Sequence, residues 1–250
     1  MKTAIITGAS SGLGREFARQ LTDIFPEIEC CWLIARREDR LEEIAREMVG
    51  VETVCLPLDL CDSMSFTTLQ EKLAAEKPEV AILINNAGIG EQKMIDETDD
   101  DWMMYVMNTN LGGPMRYIRE ALKIFLPKND GVIINISSVN GARPFCGATY
   151  TSTKGGLNTL TKNVAMRLID TNIRCNAVAP GATVTPAHLA NKAGEQPGGA
   201  EMLKYSGHFV YFPGPECDPM DQAYACLYLA SKMGKAVRGQ VIQVCNGAFL

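Results

Sequence analysis

The sequence predicts an α/β protein with a doubly wound parallel sheet, folded as one domain over residues 1–250. Two observations carry this. Short β-branched runs alternate with longer helical patterns, which is the rhythm of strand–helix–strand units with right-handed crossovers. Several of the runs are apolar at consecutive positions rather than alternate ones, as in parallel strands covered on both faces.

The strand candidates are Thr3–Thr7, Cys31–Ala35, Thr53–Leu56, Val80–Asn85, Val132–Ile136, Ile173–Val178 and Val241–Val244. Helices are expected between them. Arg37–Met48 carries Leu41, Ile44, Ala45 and Met48 at helical spacing, with Asp39 as a candidate cap. Ser63–Glu76 and Thr149–Leu168 are further helical patterns, and Asp99–Leu126 is a long one with an expected interruption at Gly112-Gly113-Pro114. The aspartate run 99–101 suits a helix start. Thr183 to Pro219 breaks the rhythm: it is rich in Pro and Gly and reads as a substrate lid at about 183–219.

Composition narrows the function classes. Hydrophobic residues make up 46% and charged residues 21%, enough for a sizeable core. The net charge of −5, without a basic stripe, argues against a nucleic-acid partner. No apolar stretch reaches membrane-spanning length, so no membrane partner is expected. The nine cysteines form no C-x-x-C pair and read as free, mostly buried thiols in a reducing, cytoplasmic setting. His188 and His208 are the only histidines and are too far apart to suggest a metal site.

Chemistry concentrates in four segments. Thr7-Gly8-Ala9-Ser10-Ser11-Gly12-Leu13-Gly14 follows the first strand and opens a helix. Its glycines permit a tight turn and close backbone approach to a pyrophosphate at the helix start. Asn85-Asn86-Ala87-Gly88 ends the fourth strand, Ser137-Ser138 ends the fifth, and Pro180-Gly181 follows the sixth. Tyr150 and Lys154 stand four apart on a helix and so share a face. A nearby cation lowers a phenol's pKa, and a tuned Tyr150 can serve as general acid or base.

These motifs, in this order and at these separations, resemble the short-chain dehydrogenase/reductase family over nearly the whole chain. The resemblance implies a Rossmann-type fold and an oxidoreductase moving a hydride between a nicotinamide cofactor and a carbonyl or secondary alcohol. It implies Asn110, Ser138, Tyr150 and Lys154 as the catalytic group. Ser137 stays open as the alternative serine and Asn108 as the alternative asparagine. It implies cofactor contacts from Gly8, Ser10, Ser11, Gly12, Leu13, Gly14, Arg36, Asp59, Asn86, Ala87, Gly88, Tyr150, Lys154, Pro180, Gly181, Thr183 and Thr185. Asp59 is expected beside the adenine, or else as a helix cap. NADP is the expected cofactor: NAD-preferring members place an acid at the position of Ala35 or Arg36, whereas Arg36 here suits a 2′-phosphate. Relatives pack as homotetramers or homodimers, and a homo-oligomer is expected.

The lid carries Met202, Leu203, Tyr205, His208, Phe209, Val210, Tyr211 and Phe212, while Lys192 and Lys204 are balanced by Glu195, Glu201 and Glu216. That suits a largely apolar small molecule, with a hydroxysteroid or bile acid as one class. A 3-oxoacyl thioester is the alternative substrate. A non-catalytic NADP(H)-sensing regulator is the alternative of another class, and an epimerase or dehydratase the third.

Overall fold

In the computed structural model, residues 1–195, 204, 210–211 and 214–249 are described. Seven strands form one sheet: β1 (Lys2–Thr7), β2 (Cys30–Ala35), β3 (Glu52–Pro57), β4 (Glu79–Asn85), β5 (Val132–Ile136), β6 (Arg174–Pro180) and β7 (Val241–Val244). The order is β3-β2-β1-β4-β5-β6-β7, and every pairing is parallel. The strand order reverses between β1 and β4, and such a reversal opens a crevice at the carboxyl ends of the strands.

Helices α1 (Gly12–Ile24), α2 (Glu38–Glu47), α3 (Ser63–Glu76), α4 (Asp100–Met107), α5 (Gly113–Lys128), α6 (Ala148–Arg167), α7 (Pro186–Lys192) and α8 (Pro219–Ala230) connect them. Alternate side chains of one strand feed opposite cores. Ala4 and Ile6 of β1 pack with Phe17, Leu21, Leu41, Ile44 and Leu227 on one face. Ile5 packs with Trp32, Leu69, Phe125 and Val164 on the other. Both cores are apolar, so the strands read as unbroken hydrophobic runs.

Two local features differ from expectation, and one open alternative falls. Helix α2 begins with Arg37 at the cap position and no side-chain cap; Asp39 lies in the first turn, where it complements the helix dipole instead. Asp59 is no helix cap: its Oδ1 accepts from the Cys61 N–H, and Asp62 caps α3 through the Met64 and Ser65 amides. The interruption between α4 and α5 is a π-turn at Asn108–Gly112, which starts ahead of the expected Gly112-Gly113-Pro114 and meets it at Gly112. Pro114 sits in the first turn of α5, where a missing N–H costs nothing, so it does not break the helix. The π-turn carries one extra residue and turns Asn110 inward.

All nine cysteines are free. No helix among the described residues is long and apolar enough to cross a membrane.

Candidate active site

The carboxyl ends of β1, β4, β5 and β6 open into a cavity of about 880 Å³. Its floor begins at the glycine loop. Gly8 adopts φ +67°, which swings the chain from β1 into α1. A Cβ on Gly14 would stand 2.2 Å from the Gly8 carbonyl, so Gly14 serves the close packing of α1 on β1. It does not line the cavity, unlike Gly8, Ser10, Ser11, Gly12 and Leu13. Helix α1 has no side-chain cap from Ser11 and no acid in its first turn. Its free N–H groups therefore suit an anion.

Beyond β2, Arg36 and Arg37 both line the cavity. The Arg36 guanidinium donates to the Tyr105 hydroxyl, and Arg37 Nη2 donates to Ser10 Oγ at 3.3 Å. Sequence reasoning named Arg36 alone. Arg37 is reached because the turn after β2 folds back on the glycine loop. A dinucleotide with a phosphate on its adenosine end fits this donor set: free helix amides at one point and two guanidiniums at another. Gly8-Ala9-Ser10-Ser11-Gly12 also spells the G-x-S-x-G of hydrolase nucleophile turns. The Ser10 hydroxyl meets Arg37 rather than a histidine.

Asp59, Asn86, Ala87, Gly88, Pro180, Gly181, Thr183 and Thr185 all line the same cavity. Asn86 Nδ2 donates to the Thr7 and Gly8 carbonyls, locking the end of β4 to the glycine loop. The Thr183 hydroxyl donates to the Gly181 carbonyl and accepts from Gln222. Thr185 Oγ1 accepts from the His188 amide and caps α7.

The opposite end of the cavity holds Ser138, Tyr150 and Lys154. Ser137 lines it too, but its hydroxyl donates to the Lys154 carbonyl and so ties β5 to α6. Ser138 Oγ accepts from the Asn140 amide and side chain at 3.2 Å each. It also hydrogen-bonds Tyr150, pulling the phenol's pKa down against burial. Burial is the larger effect, with Cys146 adding to it, so the phenol lies above its ordinary value. The sequence led us to expect Lys154 to pull it down. The ammonium instead faces the ring, 5.7 Å from its centroid, and donates to the Ile136 carbonyl at 2.8 Å.

Burial pulls Lys154 from 10.5 down to about 8. Between those values the unfolded chain holds a proton that the folded chain has released, so Lys154 makes stability rise with pH across that window. Other groups titrate there, so the comparison is with Lys154→Met. The stability of the wild type relative to that variant should rise by up to about 3 kcal/mol between pH 8 and 10.5, measured by denaturant unfolding at each pH. A flat difference would mean that the ammonium is not desolvated.

Asn110 does not line the cavity. It is fully buried; its Oδ1 accepts from the Ile89 amide, while Nδ2 donates to the Ile89 carbonyl and Thr153 Oγ1. It thus pins the loop after β4 against α6. Asn108 is only partly buried and makes no such bridge among the described residues.

Of the apolar and aromatic side chains expected in a lid, Val210 and Tyr211 line the cavity. Met202, Leu203, Tyr205, His208, Phe209 and Phe212 lie outside the described residues. An apolar wall does form, from Val139, Phe145, Val210, Ala248 and Phe249. The rings of Phe145 and Phe249 stack at 5.1 Å. Sequence reasoning missed both, since neither sits in a motif. The far rim is polar: Glu216 accepts from Lys192 and pairs with His188 Nε2 at 2.8 Å. No cluster suited to a metal ion occurs among the described residues.

A sequence model of the short chain dehydrogenase family matches residues 2–196. An NADP-dependent 3-hydroxy acid dehydrogenase of Schizosaccharomyces pombe is 36% identical over 211 residues, covering 82% of this chain and 80% of that one. A 3beta-hydroxysteroid dehydrogenase of Mediterraneibacter gnavus is 29% identical over 265 residues, covering 99% and 94%. The solved L-sorbose reductase of Gluconobacter frateurii, complexed with NADPH and L-sorbose, superposes with a TM-score of 0.85 at 26% identity, covering 99% and 96%. The parallel seven-stranded sheet, the cavity at its carboxyl edge and these likenesses agree: the chain belongs to the short-chain dehydrogenase/reductase family and is a nicotinamide-dependent oxidoreductase acting on CH–OH and C=O groups.

Proposed function

We propose that the protein moves a hydride between NADP(H) and a ketone or secondary alcohol on a small molecule with a largely apolar body. The observation that carries this is one cavity with two chemically distinct ends. Free helix amides, Arg36 and Arg37 gather at one end; Ser138, Tyr150 and Lys154 gather at the other. When bound, the reduced nicotinamide supplies the hydride.

The chain's own residues manage the proton. The Tyr150 phenol, raised above its ordinary value by burial, is protonated at neutral pH and acts as the acid that protonates the substrate oxygen during reduction. Ser138 Oγ donates a hydrogen bond to that same oxygen as charge develops there. Lys154 stands against the ring and stabilises the phenolate left after transfer. Asn110 acts at one remove, by holding the Ile89 loop against α6. NADP is favoured over NAD by the two guanidiniums, and the S. pombe relative is named as NADP-dependent.

The apolar wall of Val139, Phe145, Val210, Ala248 and Phe249 supports the substrate class. So does the relative named for a 3beta-hydroxysteroid. The test is a panel assayed by NADPH consumption: hydroxysteroid ketones, 3-oxoacyl thioesters, sugars and small aldehydes. A ketone with a fused or extended apolar body should give the highest kcat/KM. Best activity on a sugar would overturn the apolar-body reading and leave the Tyr150 chemistry standing.

A further inference from the structure

Arg36 and Arg37 differ from the arginines around them in what they bond. On α1 and α2, Arg15 pairs with Glu43 and Glu47, Arg40 with Asp39 and Glu43, and Arg46 with Glu42. Each of those guanidiniums already has a carboxylate. Among the described residues, no carboxylate makes an ion pair with Arg36 or Arg37; their partners are the hydroxyls of Tyr105 and Ser10. A guanidinium held by a carboxylate has its charge spent. One held by a neutral hydroxyl keeps that charge for an incoming anion.

Ser10 lies in the glycine loop, beside the helix amides. Arg36 is reached from across the cavity: its Nη1 donates to the hydroxyl of Tyr105, 69 residues away on α4. Tyr105 is itself fixed. Its ring tilts against Trp102 at 5.8 Å, and its carbonyl accepts from Thr109 Oγ1 at 2.9 Å. Asp99 Oδ1 caps the same helix by accepting from the Trp102 amide at 2.8 Å. Burial raises the Tyr105 phenol above its ordinary value, against the pull of Arg36, so the hydroxyl is neutral at neutral pH. Arg36, Tyr105 and Thr109 all line the cavity.

Arg36 is exposed at the end of β2. An untethered arginine there would carry rotamer entropy that ligand binding must overcome. The Tyr105 hydroxyl removes that freedom, occupies one N–H of the fork and leaves the others for a ligand.

We propose that Tyr105 is a positioning residue for cofactor selectivity: it holds Arg36 across the adenosine end of the cavity, charge uncompensated, set for the 2′-phosphate of NADP(H). The inference rests on the NADP(H) reading above and adds the residue that makes Arg36 effective.

The test is binding rather than turnover. Isothermal titration calorimetry on the intact protein compares adenosine 2′,5′-bisphosphate with adenosine 5′-monophosphate. The wild type should bind the bisphosphate more tightly. Tyr105→Phe keeps the ring on Trp102 and removes only the acceptor. It should weaken the bisphosphate by about threefold to tenfold, the worth of one hydrogen bond, and leave the monophosphate nearly unchanged. In an Arg36→Ala background the same substitution should have no further effect, because Tyr105 acts through that guanidinium. Three results would overturn the proposal: a wild-type preference in Tyr105→Phe, a loss shared equally by both nucleotides, or an undiminished loss in the Arg36→Ala background. A wild type that binds the two nucleotides equally would overturn the 2′-phosphate reading of the guanidiniums first, and this inference with it.

Discussion

Tyr150→Phe should turn over substrate about 10²–10⁴-fold more slowly than the wild type, while binding NADPH with nearly unchanged affinity. The reason is local. Phe keeps the ring that packs under Lys154 and loses only the hydroxyl. Thr149 and Tyr150 amides would still meet Glu91, so the helix start is preserved. Ser138 is then left without its phenol partner, and of its described neighbours Cys146 is no substitute acid, since burial pushes it up to about 11. Single-turnover rates with saturating NADPH, together with a fluorescence titration of the cofactor, separate the two effects. Near-normal turnover would remove Tyr150 from the chemistry. A large loss of cofactor affinity would make its role structural.

Removing the guanidiniums should have the next largest effect. The wild type is expected to prefer NADPH over NADH in kcat/KM. Arg36→Ala and Arg37→Ala should each lower that preference by about tenfold, and the double variant by more, because each charge-assisted hydrogen bond to a phosphate is worth roughly 1.5–3 kcal/mol. Neither change should much affect NADH, which has no 2′-phosphate. Arg36 is held by Tyr105 and Arg37 by Ser10, so the two sites are independently anchored. A wild-type preference for NADH, or a double variant with unchanged selectivity, would contradict the assignment.

The sheet was legible in the sequence because its strands are buried on both faces, so Cys30–Ala35 and Val132–Ile136 are apolar at nearly every position. Strand ends fell within two residues of the expected ones. The motif residues were legible for a different reason: the glycine loop, Ser138 and Tyr150 occur at spacings that few folds share. What the sequence hid was long-range. Glu91 is one acid in a loop with no period, and its partners lie 58 and 59 residues away. Arg37 looked like the opening charge of a helix, and only the turn geometry brings it to Ser10. Phe145 and Phe249 come from distant segments and meet only in the fold. The break after α4 begins ahead of the expected one, at Asn108, and meets it at Gly112, because Pro114 fits the first turn of α5 and does not interrupt it. Spacing reveals the cation beside Tyr150 and conceals the burial that raises its phenol.

The most direct test of the whole account is the absorbance of reduced nicotinamide during turnover of the best ketone in the panel. Wild-type protein with NADPH should consume the cofactor in a one-to-one ratio with alcohol formed, and Tyr150→Phe at equal concentration should barely change the signal. Product formed without net change in that absorbance, or cofactor bound and never oxidised with any carbonyl compound, would contradict a proton-and-hydride transfer centred on Tyr150 and Lys154.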